Sequence, residues 1–193
     1  MDEIKQNFLK HIDSGICNGA EWKIITKNNY HHDSVGFRDL NKKKKFNKDL
    51  YFRIWSMTKP IVSFATMQLV EKNYLSLEDT IDKYLPQFRK INIVKKNFNN
   101  IDETYQSNNI PTIKQLLQHT AGFTYNSSNN IVGEEYDKRK IFLSGQTSLE
   151  EEIENLSQLP LLFEPGSKWH YSVSIDILSR ILEIITKDKL INI

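Results

Sequence analysis

The chain is poor in the features that would tie it to a disulfide scaffold, a membrane or a nucleic acid. A single cysteine, Cys17, excludes an internal disulfide and suits a reducing compartment. Seven glycines and five prolines, beside 39% hydrophobic and 26% charged residues, describe a soluble globular protein of one domain or a little more, long enough to bury a substantial core. No segment approaches a membrane span, and the opening MDEIKQNFLKHID lacks the continuous apolar stretch of a secretory signal, so a cytoplasmic location is expected. Charge of one sign is not in excess: 26 Lys and Arg face 24 Asp and Glu. Outside Lys42-Lys43-Lys44-Lys45, expected as a solvated turn, the basic residues are scattered, which argues against nucleic-acid or membrane partners. Metal-ligand spacing is wanting too. His31 and His32 are adjacent rather than one helical turn apart, Cys17 has no thiol partner, and no metal or other cofactor is expected.

What is present is strong local patterning. Ile4, Phe8, Leu9 and Ile12 predict a short amphipathic helix over residues 2–14 that Gly15 can end. Residues 20–26 and 30–37, joined by Lys27-Asn28-Asn29, predict an antiparallel hairpin, followed by a loop over 38–49. A helix beginning near Ser56 carries Ile61, Val62, Phe64, Ala65, Met67, Leu69 and Val70 with hardly any polar face, the pattern of a helix buried on most sides; Asn73 can cap its end. Ser76 with Asp79 opens a second short helix around 80–85, closed by Pro86. Residues 89–110 read as one short strand at Ile91, Ile93 and Val94 and a long excursion. Thr112 with Gln115 and Ser148 with Glu151 are capping-box pairs, 131–143 has helical character, and Ile175 to Ile185 keep helical register.

The chemistry centres on Ser56-Met57-Thr58-Lys59. Side chains three residues apart share a helix face, so Ser56 Oγ and Lys59 Nζ can meet as nucleophile and base. The plainer alternative is a capping serine and a solvated lysine. Lys59 adjoins an apolar helix, where burial would move it toward the neutral amine a base requires. His119 could face the site, Glu150, Glu151, Glu152 and Glu154 read as a solvated helix face, and Trp169 equally as pocket wall or core.

Four ordered blocks extend this pattern: Ser56-Met57-Thr58-Lys59-Pro60; Leu75-Ser76-Leu77-Glu78-Asp79 with Tyr84-Leu85-Pro86; Leu116-Leu117-Gln118-His119-Thr120-Ala121-Gly122; and Glu164-Pro165-Gly166 with Trp169-His170-Tyr171-Ser172. Together they resemble the β-lactamase-related serine hydrolases, a family that includes class C β-lactamases, D-alanyl-D-alanine carboxypeptidases and esterases of the same fold, and the resemblance covers residues from about 15 to 193. It implies an α/β (α+β) fold of the β-lactamase and penicillin-binding-protein type, with an antiparallel hairpin, a helical region and the C-terminal strands missing. It also implies an acyl-enzyme on Ser56, with Lys59 as proton partner, Tyr171 completing the relay and the Ser56 backbone N–H as one oxyanion donor. The resemblance also implies a mainly structural role for the His119 block, a packed turn ended by Gly122, and whether lysine or tyrosine is the base stays open. Two departures matter. Val173 stands where class C enzymes have asparagine, which favours a small-molecule ester over a β-lactam or peptide amide as substrate. The family's third motif, Lys-Thr-Gly or His-x-Gly, has no counterpart, so the hairpin and part of the Ser56 helix are expected to leave an exposed apolar patch and an unpaired strand edge.

Overall fold

A computed structural model describes residues 2–41, 43–46, 50–95, 100–126, 128–143 and 145–193. The chain divides into two compact units, Met1–Ile54 and Trp55–Ile193.

In the first unit, α1 (Asp2–Asp13) packs on a hairpin of β1 (Gly19–Ile25) and β2 (Tyr30–Asp39), in register from Gly19 opposite Gly36 to Ile25 opposite Tyr30. Phe8 of α1 stacks on Trp22 of β1 with ring centroids 5.2 Å apart, and Trp22 and Val35 are buried. Gly36 has φ +76°, and a Cβ there would lie 2.4 Å from the Asn18 carbonyl, so the hairpin closes only around glycine. The loop expected over 38–49 is partly strand. β2 runs on to Asp39, and Lys44–Lys45 form β3, paired to it across an irregularity between Phe37 and Asp39. Lys44 and Lys45 are exposed, while Lys42 and residues 47–49 lie outside the described residues. With strand order β1-β2-β3, β1 has an unpaired edge among the described residues, and Ile25 and Tyr30 beside it are exposed, as expected of an open sheet.

The second unit is helical around α6 (Ser174–Thr186), whose Ile177, Leu178, Ile181 and Leu182 are fully buried against α2 (Thr58–Glu71), α3 (Ile113–Leu117) and α5 (Leu149–Ser157). Each such side chain contributes about 1.5–3 kcal/mol by leaving water, which makes α6 the element on which the unit is built. Both capping boxes form, at Thr112 with Gln115 and at Ser148 with Glu151. α2 ends with Asn73 at φ +59°, its N–H donating to Val70 O and that of Tyr74 to Leu69 O, the paired bonds of a left-handed C-terminal cap.

Four expectations need correction. α2 is not buried on most sides: only Val62 and Thr66 are fully buried, and Ile61, Phe64 and Met67 form an exposed apolar stripe. Its inward positions meet α6, but its other face has no partner among the described residues, which is the exposed apolar patch expected on part of this helix. The helix expected around 80–85 is instead a pair of 3-10 turns, Ile81–Lys83 and Pro86–Phe88, and Pro86 opens the second rather than closing a helix. The excursion after Val94 returns as β5 (Thr104–Gln106), paired antiparallel with β4 (Asn92–Val94), while residues 96–99 of it lie outside the described residues. α4 (Ile131–Lys138) is shorter than the helical segment expected over 131–143. Among the described residues no helix is long and apolar enough to cross a membrane.

Candidate active site

Three segments of the second unit converge on one cleft of about 600 Å³. Ser56 lies in a 3-10 turn, Trp55–Met57, that runs directly into α2, and Lys59 follows in the helix's first turn. Pro60 comes next, in the first turn, where a missing backbone donor costs least. Trp55 has φ +48°, a conformation rare for a bulky residue, and is highly exposed at the cleft wall.

The segment carrying Tyr171 is clamped to the exit of α3. His170 N–H donates to His119 O at 2.9 Å, Val173 N–H donates to Thr124 O at 3.2 Å, and Ser172 N–H donates to His119 Nδ1 at 3.3 Å. Ser172 Oγ also meets Ser174 Oγ at 2.7 Å. Gly122 and Gly166 make the clamp possible. Gly122 has φ +92°, and a Cβ there would sit 2.5 Å from Phe163 O. The Gly166 N–H donates to Thr120 O at 2.8 Å. The Leu116–Gly122 and Glu164–Gly166 blocks are thus two loops fastened to each other, and His119 is a structural residue of that fastening.

Ser56, Lys59 and Tyr171 meet. Ser56 Oγ is 2.7 Å from Tyr171 Oη, and Lys59 Nζ donates to Ser56 Oγ at 3.5 Å. Lys59 Nζ also lies 4.8 Å from the centre of the Tyr171 ring. Two further residues, unforeseen from the sequence, complete the group. Lys59 Nζ donates to Tyr125 Oη at 3.0 Å, and the Tyr125 and Tyr171 rings pack 5.3 Å apart. Asp176, in the first turn of α6, lines the same cleft. A lone acid amid Ile175, Ile177 and Leu178, and an aromatic three residues past Gly122, were the available signals.

The electrostatics reverse one expectation. Burial does pull the Lys59 pKa down, but interactions with the Tyr125 and Tyr171 hydroxyls outweigh it, and the net shift is upward. Lys59 is therefore held as an ammonium rather than pushed toward the neutral amine. Tyr171 moves the other way: hydrogen bonds with Lys59 and Ser56 hold its hydroxyl below the usual phenol range. Burial raises Tyr125 instead, so of the two phenols Tyr171 is the one disposed to accept a proton. Burial pushes the Asp176 carboxyl up to about 6, against the opposing pull of Lys59. His119 and His170 are both lowered by burial.

Of the other residues weighed, Trp169 is a wall of the cleft and 67% exposed, not core. Val173 is buried and caps α6 without a side-chain bond. Glu152 departs from the solvated face expected of its neighbours: it is buried and accepts from Phe142 N–H at 2.7 Å and from Thr147 Oγ1. Among the described residues no group of three or more His, Cys, Asp or Glu is placed to hold a metal ion.

Comparison with known proteins gives a consistent picture. The family model described as Beta-lactamase matches residues 4–192. Protein Rv1367c of Mycobacterium tuberculosis is 30% identical over 172 residues, covering 88% of this chain and 42% of that protein. Esterase EstB of Burkholderia gladioli is 32% identical over 151 residues, covering 77% of this chain and 36% of its own. Among solved structures, EstCE1, described as a hydrolase with promiscuous acyltransferase activity, superposes with a TM-score of 0.80 at 28% identity, covering 98% of this chain and 48% of its own. The chain spans less than half the length of each of these relatives.

Proposed function

This chain belongs to the β-lactamase family, and on that premise we propose that the complete protein is a serine hydrolase that cleaves carboxylic esters of small molecules through an acyl-enzyme on Ser56. The observation that carries this reading is the 2.7 Å contact between Ser56 Oγ and Tyr171 Oη, with Lys59 Nζ bonded to the same serine oxygen. Tyr171 takes the Ser56 proton as Oγ attacks the ester carbonyl carbon. The tetrahedral intermediate then collapses, the bond to the alcohol oxygen breaks, and the proton passes from Tyr171 to the departing alkoxide. Water repeats the sequence in reverse roles and releases the acid. The Lys59 ammonium favours the tyrosinate form of its neighbour throughout.

The preference for esters rests on the position after Ser172, where Val173 offers no amide to a β-lactam or peptide side chain, and on the similarity to an esterase. A β-lactamase or D-alanyl-D-alanine carboxypeptidase uses the same triad and is the alternative. The test is turnover of a short-chain p-nitrophenyl ester beside nitrocefin by the full-length protein, with a Ser56→Ala control. Faster ester turnover, lost in the control, is expected. Faster nitrocefin turnover overturns the ester preference, and no turnover of either favours a binding module that keeps the cleft without catalysis.

A further inference from the structure

No carboxylate stands among the described hydrogen-bond partners of Lys59. Its hydrogen bonds go to the hydroxyls of Ser56 and Tyr125, and no ion pair to it lies within 4.0 Å among the described residues. The cleft contains one carboxylate among its described lining residues, Asp176 of α6, which shares the cleft with Lys59 of α2, Tyr125 of the loop after α3, and Tyr171 of the segment before α6. It interacts electrostatically with all three.

An acid in a helix's first turn has a plainer use. α6 has no side-chain cap at Val173, and Asp176 bonds its own backbone N–H. That use, however, is available to an exposed carboxylate, whereas this one is desolvated beside a cation and two phenols. We propose that Asp176 is the counter-ion of Lys59: from across the cleft its ionised carboxylate holds the Lys59 ammonium aimed at Ser56 and Tyr171, and so sets the pH range in which Ser56 reacts. Attraction at this range gains strength once a substrate excludes water from the cleft. Asp176 is a positioning residue, acting through Lys59, and the inference rests on the reading of Ser56 as nucleophile.

Burial raises the Asp176 carboxyl to about 6, so it ionises as pH rises through that value. His170 lines the cleft, and His119 interacts with Lys59; burial lowers both from the ordinary imidazole value, so substitution is needed to assign an inflection. The experiment measures the rate at which a fluorophosphonate modifies Ser56 in the full-length protein from about pH 5 to pH 9, for the wild type, Asp176→Asn and Asp176→Glu. The Ser56 Oγ–phosphorus bond forms, fluoride leaves and the serine proton passes to Tyr171. The wild-type rate is expected to rise through an inflection near pH 6. Asp176→Asn should lose that inflection and react about tenfold or more slowly at pH 7.5, and Asp176→Glu should recover most of the rate. An asparagine variant with the wild-type rate and inflection overturns the proposal and leaves Asp176 a first-turn residue of α6. So does a wild-type adduct whose rate is flat from about pH 5 to pH 7, whatever the variants do. Absence of any wild-type adduct on Ser56 is a different result: it removes the nucleophile assignment and the counter-ion with it.

Discussion

Replacing Asp176 with asparagine should stabilise the fold, by an amount that pH controls. The carboxyl is raised by burial from 3.8 to about 6, so the folded state binds its proton more tightly than the unfolded chain does. Ionised Asp176 therefore costs stability: little below the unfolded value, progressively more as pH rises between the two values, and fully above the folded one. The gap between the two values sets the full cost at roughly 3 kcal/mol, and at about pH 4 the same relation gives well under about 1 kcal/mol. Asparagine has nearly the same shape and none of this cost. Urea titrations of wild type and Asp176→Asn at about pH 4 and pH 7.5 should show a gain of a few tenths of a kcal/mol at the lower pH and of about 2–3 kcal/mol at the higher. A gain independent of pH, or a variant less stable than wild type at pH 7.5, would refute the reasoning. Together with a slower Ser56 reaction, a more stable variant is the signature of a residue kept at the expense of stability.

Removing the Tyr171 hydroxyl tests the proposed proton acceptor. Tyr171→Phe should lower ester turnover by about 100- to 10,000-fold while leaving Tm nearly unchanged, because the side chain is exposed at the cleft; a loss of less than tenfold would assign the base elsewhere. Gly122→Ala should destabilise the fold by about 1 kcal/mol or more, since φ +92° and a Cβ placed 2.5 Å from Phe163 O both oppose it; an unchanged Tm would contradict the clamp between the two loops.

Much of this architecture was legible wherever the signal was local. The two capping boxes form as their residues dictate, because both partners lie within one turn of chain. The hairpin and α6 follow their own periodicities. What failed depended on distant partners. β5, with only Thr104-Tyr105-Gln106, is strand because β4 offers it an edge, and nothing in three polar and aromatic residues announces that. The apolar composition of α2 stated what it can bury but not what covers it, and Ile61, Phe64 and Met67 are open. At the candidate site, Ser56 and Lys59 were readable from their spacing and Tyr171 from a resemblance. Tyr125 and Asp176 were not, since each gains its meaning only when the α3 exit and α6 meet Lys59 in space. The Lys59 charge state was misjudged for the same reason: apolar neighbours in sequence suggested desolvation, whereas two phenol hydroxyls in space hold the ammonium.

The most direct test of the account is covalent. Full-length protein incubated with a fluorophosphonate and mapped by peptide mass spectrometry should carry one adduct, on Ser56, that disappears in Ser56→Ala. An adduct on another residue, or none on Ser56 in folded protein, would contradict the assignment of Ser56 as the nucleophile.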